Sequence, residues 1–315
     1  MMDEMKSPVL VVCGPTACGK TGWSLKLAEH FPIEIISADS RQVYRQMDIG
    51  TAKASTAEQA LVPHHMIDLI DPDQEFSVAQ FVDRARPLIK EITARGRIPC
   101  VVGGTGLYIR ALLGGLADTP TGNQVLREQL QQREIDSGAG TLHAELMQID
   151  PAAAARIHPN NVVRLVRALE VYHVSGRTLT ELQQEHQFAD QPYRVMKLAP
   201  LQERAELYRR IDLRAKQMLA DGLMAEVQLL VDRYSADLKA LQTLGYRESL
   251  RYLDQPGKYA QMLEEIQTAT RQYAKRQLTW FRKEPEIIWV DSSTESGRVL
   301  RSIEDFISQQ RSGYA

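Results

Sequence analysis

Three features of the chain predict an α/β fold, a parallel sheet flanked by helices and interrupted by an all-helical insertion domain. Apolar, β-rich runs alternate with amphipathic stretches up to residue 113 and resume near 193, the pattern of a sheet covered on both faces. At the first strand-to-helix junction stands "GPTACGKT", residues 14–21. Two glycines separated by four residues, then Lys and Thr, are the P-loop pattern, so the core is expected to be P-loop NTPase-like. After "LLGGLADTPTGN" (112–123), whose glycines, proline and small polar residues read as a linker, apolar positions recur at spacings of three and four.

In chain order, strands are expected at 8–13, 33–37 ("IEIIS"), 65–70 ("HMIDLI") and 98–102 ("IPCVV"), with helices at 19–31, 77–95 and 105–113. Within the insertion, "QVLREQLQQREI", "DPAAAARI" and "NVVRLVRALEVYHVSG" have helical periodicity. Asp150 before Pro151 reads as an N-cap with proline in the first turn, and Gly176 as a helix stop. A strand at 193–199 returns the chain to the sheet; helices at about 201–220, 222–234 and 258–283, a strand at 286–290 and a final helix complete it. The expected division is a core of 1–120 and 190–315 around an insertion of 121–189.

Composition narrows the function classes. Of 315 residues, 43% are apolar and 25% charged, ordinary for a globular enzyme. A net charge of −2 gives no global field for a nucleic acid, so local clusters must carry any such argument. The start, "MMDEMKSPVL", has acids where a signal peptide needs basic residues, and no run approaches a membrane span. A cytoplasmic protein without a membrane partner is expected. Cys13, Cys18 and Cys100 form no CxxC pair, which fits reduced thiols rather than a disulfide or zinc site. Cys18, inside the P-loop, reads as a small filler or as a thiol activated by the positive end of a helix.

The P-loop residues Gly14, Pro15, Thr16, Ala17, Cys18, Gly19, Lys20 and Thr21 form the expected diphosphate- or nucleotide-binding set. Glycines let successive N–H groups point at anionic oxygens, Lys20 neutralises charge, and the Thr21 hydroxyl is offered to Mg²⁺. Asp39 and Ser40 stand just beyond a buried strand, where an acid serves as a Mg²⁺ ligand, as a general base, or merely as a turn residue. Gly103, Gly104 and Gly106 around Thr105 suggest close backbone approach to a ligand, with a plain tight turn as the competitor. His64 and His65 are not assigned to a metal, because adjacent strand residues point to opposite faces.

"IQTATRQYAKRQLTWFRK" (266–283) carries five Lys or Arg, no acid, and Tyr273, Trp280 and Phe281 between them. This fits an RNA-binding surface, and a solvated basic helix face looks similar. Arg271, Lys275 and Arg282 share one helical face by spacing, and Arg164 and Arg167 make a smaller cluster on the insertion.

Together, "GPTACGKT", "SADSRQVYRQMDIGTAK", "PHHMID", "GGTGLYIRAL", "RLVRALEVY", "LGYRE" and "KRQLTWFRK" strongly resemble the tRNA dimethylallyltransferase (tRNA isopentenyltransferase) family, in family order over nearly the whole chain. The resemblance implies transfer of a dimethylallyl group from dimethylallyl diphosphate, with Mg²⁺, to the exocyclic amine of the adenosine 3′ to the anticodon. It implies that the P-loop cradles a diphosphate leaving group, that Asp39 takes the amine proton, that Thr105 positions the base, and that Arg214 reaches the diphosphate. It further implies tRNA contacts from Asp39, Ser40, Arg41, Gln42 and Thr105; from Arg127, Val163, Arg164, Leu165, Val166 and Arg167; from Gln242, Thr243, Leu244, Gly245, Tyr246 and Arg247; and from Lys275, Arg276, Gln277, Leu278, Thr279, Trp280, Phe281 and Arg282. The expected partners are the tRNA anticodon stem-loop and dimethylallyl diphosphate, with a monomeric chain of the shorter, bacterial type. Cys18 departs from the serine usual in the family's loop. The rivals are an adenylate isopentenyltransferase, which needs neither the long helical insertion nor the basic aromatic helix, and a P-loop kinase, which the stretches outside the loop do not resemble.

Overall fold

A computed structural model describes residues 6–186, 188, 190–284, 286–291 and 296–308. The chain enters along β1 (Ser7–Cys13), turns through the P-loop into α1 (Lys20–His30) and returns along β2 (Ile33–Ser37). Next come α2 (Thr56–Leu61), the two-residue β3 (His64–His65), α3 (Val78–Ala94), β4 (Ile98–Gly103) and α4 (Gly106–Gly114). Five helices follow: α5 (Gln124–Ser137), α6 (Thr141–Ile149), α7 (Pro151–Arg156), α8 (Val162–Ser175) and α9 (Leu179–His186). The chain rejoins the sheet at β5 (Tyr193–Pro200), then runs through α10 (Arg204–Ala220), α11 (Leu223–Arg233), α12 (Tyr246–Arg251), α13 (Tyr259–Phe281), β6 (Ile287–Val290) and α14 (Ser296–Ser308).

The six strands form one sheet in the order β3-β2-β4-β1-β5-β6, with every pairing parallel. Leu10, Val12, Ile33, Ile35, Cys100 and Leu198 are buried in one apolar cluster with Trp23 and Leu27 of α1 and Ile303 of α14. The strands read as continuous apolar runs because helices cover the sheet. A second cluster joins Val43 and Met47 to Leu219, Leu223, Tyr246 and Ile266 on the helices after β5.

The third strand is far shorter than the 65–70 expected. Met66 (φ 65°) and Asp68 (φ 53°) adopt left-handed backbone conformations, which no strand accommodates. Asp68 is drawn instead to Lys53, and only an isolated bridge from Tyr44 to Ile70 continues the pairing.

The helical insertion has its own core, built from Leu130, Leu142, Leu146, Leu165, Val166 and Leu169. Asp150 caps α7 through the Ala153 N–H, with Pro151 in its first turn, and Gly176 ends α8 with φ 71°. As a compact unit it spans Leu113–Gln191, so it begins within the segment that reads as linker. A Cβ on Gly114 would meet the Phe188 carbonyl oxygen at 2.6 Å, and one on Gly115 the Asp190 carboxylate at 2.3 Å, so these glycines pack within the unit. No helix among the described residues is long and apolar enough to cross a membrane.

Candidate active site

Register brings three loops together at the carboxyl ends of the central strands. Cys13 pairs with Gly103 and Ser37 with Val102, so the P-loop, residues 38–42 and the turn 103–106 leave the sheet side by side. Ligands of open α/β sheets bind at such ends.

The P-loop is held from within and from without. Gly14 (φ 138°), Ala17 (φ 63°) and Gly19 (φ 93°) supply its left-handed turns. Lys20 Nζ donates to the carbonyls of Gly14 at 3.1 Å and Pro15 at 2.7 Å, drawing its charge over the loop. From outside, Gln277 Oε1 accepts the Thr16 N–H at 2.8 Å, while its Nε2 donates to the Gly104 carbonyl at 2.9 Å. Cys18 is buried against Leu207, Ile211 and Ala274, the packing of a filler. Thr21 is exposed on the first turn of α1.

Asp39 sits on the neighbouring strand end. Its Oδ1 accepts the Arg41 N–H at 2.8 Å, the turn-forming bond typical of Asp. Oδ2 has no protein partner among the described residues. Thr105 is stitched to both sides of this aspartate: its N–H donates to the Ala38 carbonyl at 3.1 Å and its Oγ1 accepts the Ser40 N–H at 3.1 Å. Burial lowers the pKa of the Arg214 guanidinium, and the charge of Asp39 acts against that shift. Burial raises the Tyr273 phenol and Asp39 pushes it further in the same direction. Asp39, Arg214 and Tyr273 therefore share one electrostatic neighbourhood.

A cavity of about 730 Å³ is lined by Thr21, Arg214, Asp48, Lys53, Asp68 and Asp221 among others. Lys53 is nearly buried there, its Nζ bonded to the Tyr44 carbonyl at 2.7 Å and to Asp48 and Asp68 at 2.5 Å each. Glu226 fixes the same loop by accepting the N–H groups of Asp48, Ile49 and Gly50 at 3.0, 2.8 and 3.1 Å and the Tyr246 hydroxyl at 2.5 Å. Neither Lys53 nor Glu226 stands out in the sequence, beyond the position of Lys53 in "MDIGTAK".

The glycines of "GGTG" do approach something closely, but it is the protein itself. A Cβ on Gly103 would lie 2.1 Å from the Ala38 carbonyl oxygen, one on Gly104 2.4 Å from Gln277 Nε2, and one on Gly106 2.1 Å from Trp280 Nε1. The close approach these glycines permit is thus one between β4, the Ala38 backbone and α13.

Several residues expected to touch tRNA are turned inward. Leu165, Val166, Thr243, Tyr246, Gln277 and Phe281 are buried, so their side chains build the fold rather than a surface. Gln42 is committed to Ser37 and to the carbonyls of Thr51 and Ala52. Arg127 and Arg167 both grip the fully buried Glu170, at 2.8 and 2.6 Å, offsetting the cost of burying its charge. Arg167 also donates to Thr119 and to the Pro120 carbonyl, tying down the linker. Trp280 lies under the Arg110 guanidinium, 4.3 Å from ring centroid to Cζ, and Arg110 in turn pairs with Glu284. Arg271 pairs with Asp212 at 2.7 Å, so only Lys275 and Arg282 of the predicted basic face stay exposed. Arg41, Val163, Arg164, Gln242, Arg247, Arg276 and Thr279 are exposed as well. Outside the site, His65 Nε2 meets Glu34 at 2.7 Å and His64 Nδ1 the Val62 carbonyl at 2.8 Å.

A family model described as IPP transferase matches residues 42–284, and one described as isopentenyl transferase matches residues 7–68. The chain is 49% identical to tRNA dimethylallyltransferase 1 of Syntrophotalea carbinolica, over 97% of this chain and 98% of that protein. Among solved structures, it is similar to the full-length tRNA isopentenylpyrophosphate transferase of Bacillus halodurans, with TM-score 0.71 and 39% identity over 98% of this chain and 99% of that one. It is also similar to a eukaryotic dimethylallyltransferase acting on tRNA, with TM-score 0.83 and 31% identity over 96% of this chain and 80% of that one.

Proposed function

The chain belongs to the IPP transferase family, and we propose that it transfers the dimethylallyl group of dimethylallyl diphosphate to the exocyclic amine of the adenosine 3′-adjacent to the anticodon of tRNA, releasing diphosphate. The observation that carries the mechanism is Asp39: one carboxylate oxygen is fixed by its own turn, the other has no protein partner among the described residues, and both flanks are held by Thr105.

The P-loop N–H groups and the N-terminus of α1 cradle the diphosphate, with Lys20 and Arg214 adding positive charge. Thr21 gives the hard oxygen donor that Mg²⁺ prefers, on the wall of the cavity it shares with Arg214 and Asp48. Bound there together with diphosphate oxygens, Mg²⁺ would supply neutralisation of the leaving group. The target base turns out of the anticodon stack at a cost of roughly a few kcal/mol. Asp39 Oδ2 accepts a hydrogen bond from the adenine amine and finally its proton. The nitrogen bonds to the first carbon of the prenyl chain, the carbon–oxygen bond breaks, and its electron pair leaves with the diphosphate. Arg41, Arg164, Arg247, Lys275, Arg276 and Arg282 are the exposed cations offered to tRNA phosphates. The enzyme is proposed to act as a monomer in the cytoplasm.

Labelled dimethylallyl diphosphate with Mg²⁺ and either unmodified tRNA or AMP tests the reading. Label in tRNA supports it. Label in AMP alone moves the chain to nucleotide prenylation, and ATP consumption without label transfer makes it a kinase.

A further inference from the structure

Arg210 is a residue that neither the P-loop motif nor the resemblance singles out. It lies on α10 one turn before Arg214, so the two guanidiniums share a helix face. Its Nη1 comes within 3.4 Å of where a Cβ on Gly19 would stand, at the point where the P-loop becomes α1. Glu206 takes its Nε at 2.7 Å, and among the described residues the two Nη groups have no protein acceptor. This leaves a fork of N–H donors whose Nη1 end lies beside the start of α1.

The placement is electrostatically odd for the protein alone. The N-terminus of a helix carries partial positive charge, and Lys20 adds a full one beside it. Glu206 balances part of the Arg210 charge through Nε, and the Nη groups beside this positive end are suited to a bound anion. Resting on the prenyl-transfer reading, we propose that Arg210 is a second arginine of the diphosphate site, gripping the leaving group opposite Lys20, and that Glu206 is its positioning residue. The bonds from Arg209 and Arg210 hold the Glu206 carboxyl down at about 2, so the anchor stays ionised under all working conditions. A guanidinium suits the task because its planar fork binds two phosphate oxygens at once.

Arg209 supplies the control. It binds the same Glu206 carboxylate, with a side chain 62% exposed, yet only Arg210 reaches Gly19. The experiment is calorimetric titration of inorganic pyrophosphate with Mg²⁺ into the wild type, Arg210→Ala, Arg210→Lys and Arg209→Ala, with thermal unfolding of each variant and tRNA binding in parallel. Arg210→Ala is expected to weaken pyrophosphate binding roughly tenfold or more, Arg210→Lys by less, and Arg209→Ala by under about twofold. Unfolding and tRNA affinity should stay as in the wild type. Equal pyrophosphate affinity in Arg210→Ala and wild type, or equal losses in the Arg209 and Arg210 variants, overturns this assignment and leaves prenyl transfer standing. A wild type that binds no pyrophosphate at all overturns the prenyl-transfer reading, and Arg210 with it.

Discussion

The side-chain oxygen of Gln277 accepts the backbone N–H of Thr16 at 2.8 Å, fastening α13 to the middle of the P-loop. The other end of the same amide donates to Gly104, so one buried side chain sets the spacing between the P-loop and the turn that carries Thr105. Gln277→Ala leaves a donor and an acceptor without partners and should cost about 1–3 kcal/mol of stability. Because small displacements of aligned groups are costly, turnover should fall roughly a hundredfold, more than stability alone explains. Single-turnover prenylation beside thermal unfolding separates the two effects.

The loop 48–50 depends on Tyr246 and Glu226. Tyr246→Phe removes one of four donors to the Glu226 carboxylate and should cost about 1–2 kcal/mol. Gly50→Ala should be worse, because the new Cβ would stand 2.4 Å from the Tyr246 ring and 2.9 Å from Leu223. Denaturant unfolding of both variants checks the order, Gly50→Ala below Tyr246→Phe.

These two contacts mark where sequence reading stops. The sheet is legible because each strand is an unbroken apolar run, and the P-loop because its chemistry lies within eight consecutive residues, 14–21. Asp39 and Thr105 follow from the positions of strand ends. What holds them is not local: Gln277 is 261 positions from Thr16, and Glu226 is 178 from Asp48. For the same reason the glycines of "GGTG" look like ligand contacts until Ala38, Gln277 and Trp280 are seen against them. Burial likewise separates Lys275, which is exposed, from Gln277 two residues on. The α2 helix is missing from the expected elements, although the Ser55/Glu58 capping box marks its start, because six residues are too few for apolar periodicity to reinforce that signal.

In the insertion, burial alone would raise the Glu170 pKa, but bonds from Arg167, Arg127 and the Asn123 N–H together lower it. A lowered folded pKa means stability that is present above the unfolded value near 4.5 and is lost as pH falls through the folded one. Glu170→Gln should destabilise the insertion by about 2–3 kcal/mol, since both arginines are a third exposed and keep some hydration. Hydrogen exchange of α5 and α8 reads this directly, with the core strands unaffected.

Burial pushes the Cys13 and Cys100 thiols from 9.0 up to about 12. The fold thus favours the protonated thiol. Its stability is unaffected by these groups below pH 9.0 and declines as pH rises from there toward about 12, by about 1.4 kcal/mol per pH unit for each thiol. Urea midpoints from pH 8 to 11 should show this decline beginning near 9.0, and a thiol reagent at pH 8 should leave Cys13 and Cys100 unlabelled until denaturant is added.

The most direct measurement is single-turnover transfer from labelled dimethylallyl diphosphate to unmodified tRNA by wild type and Asp39→Asn, with pyrophosphate and tRNA affinities determined for both. Asparagine can still accept the Arg41 N–H but cannot take a proton from the amine. Turnover lower by roughly 10²–10⁴-fold is expected, with both affinities changed by far less, within about a few-fold. Turnover within a few-fold of wild type would contradict the assignment of Asp39 as the base and the mechanism built on it.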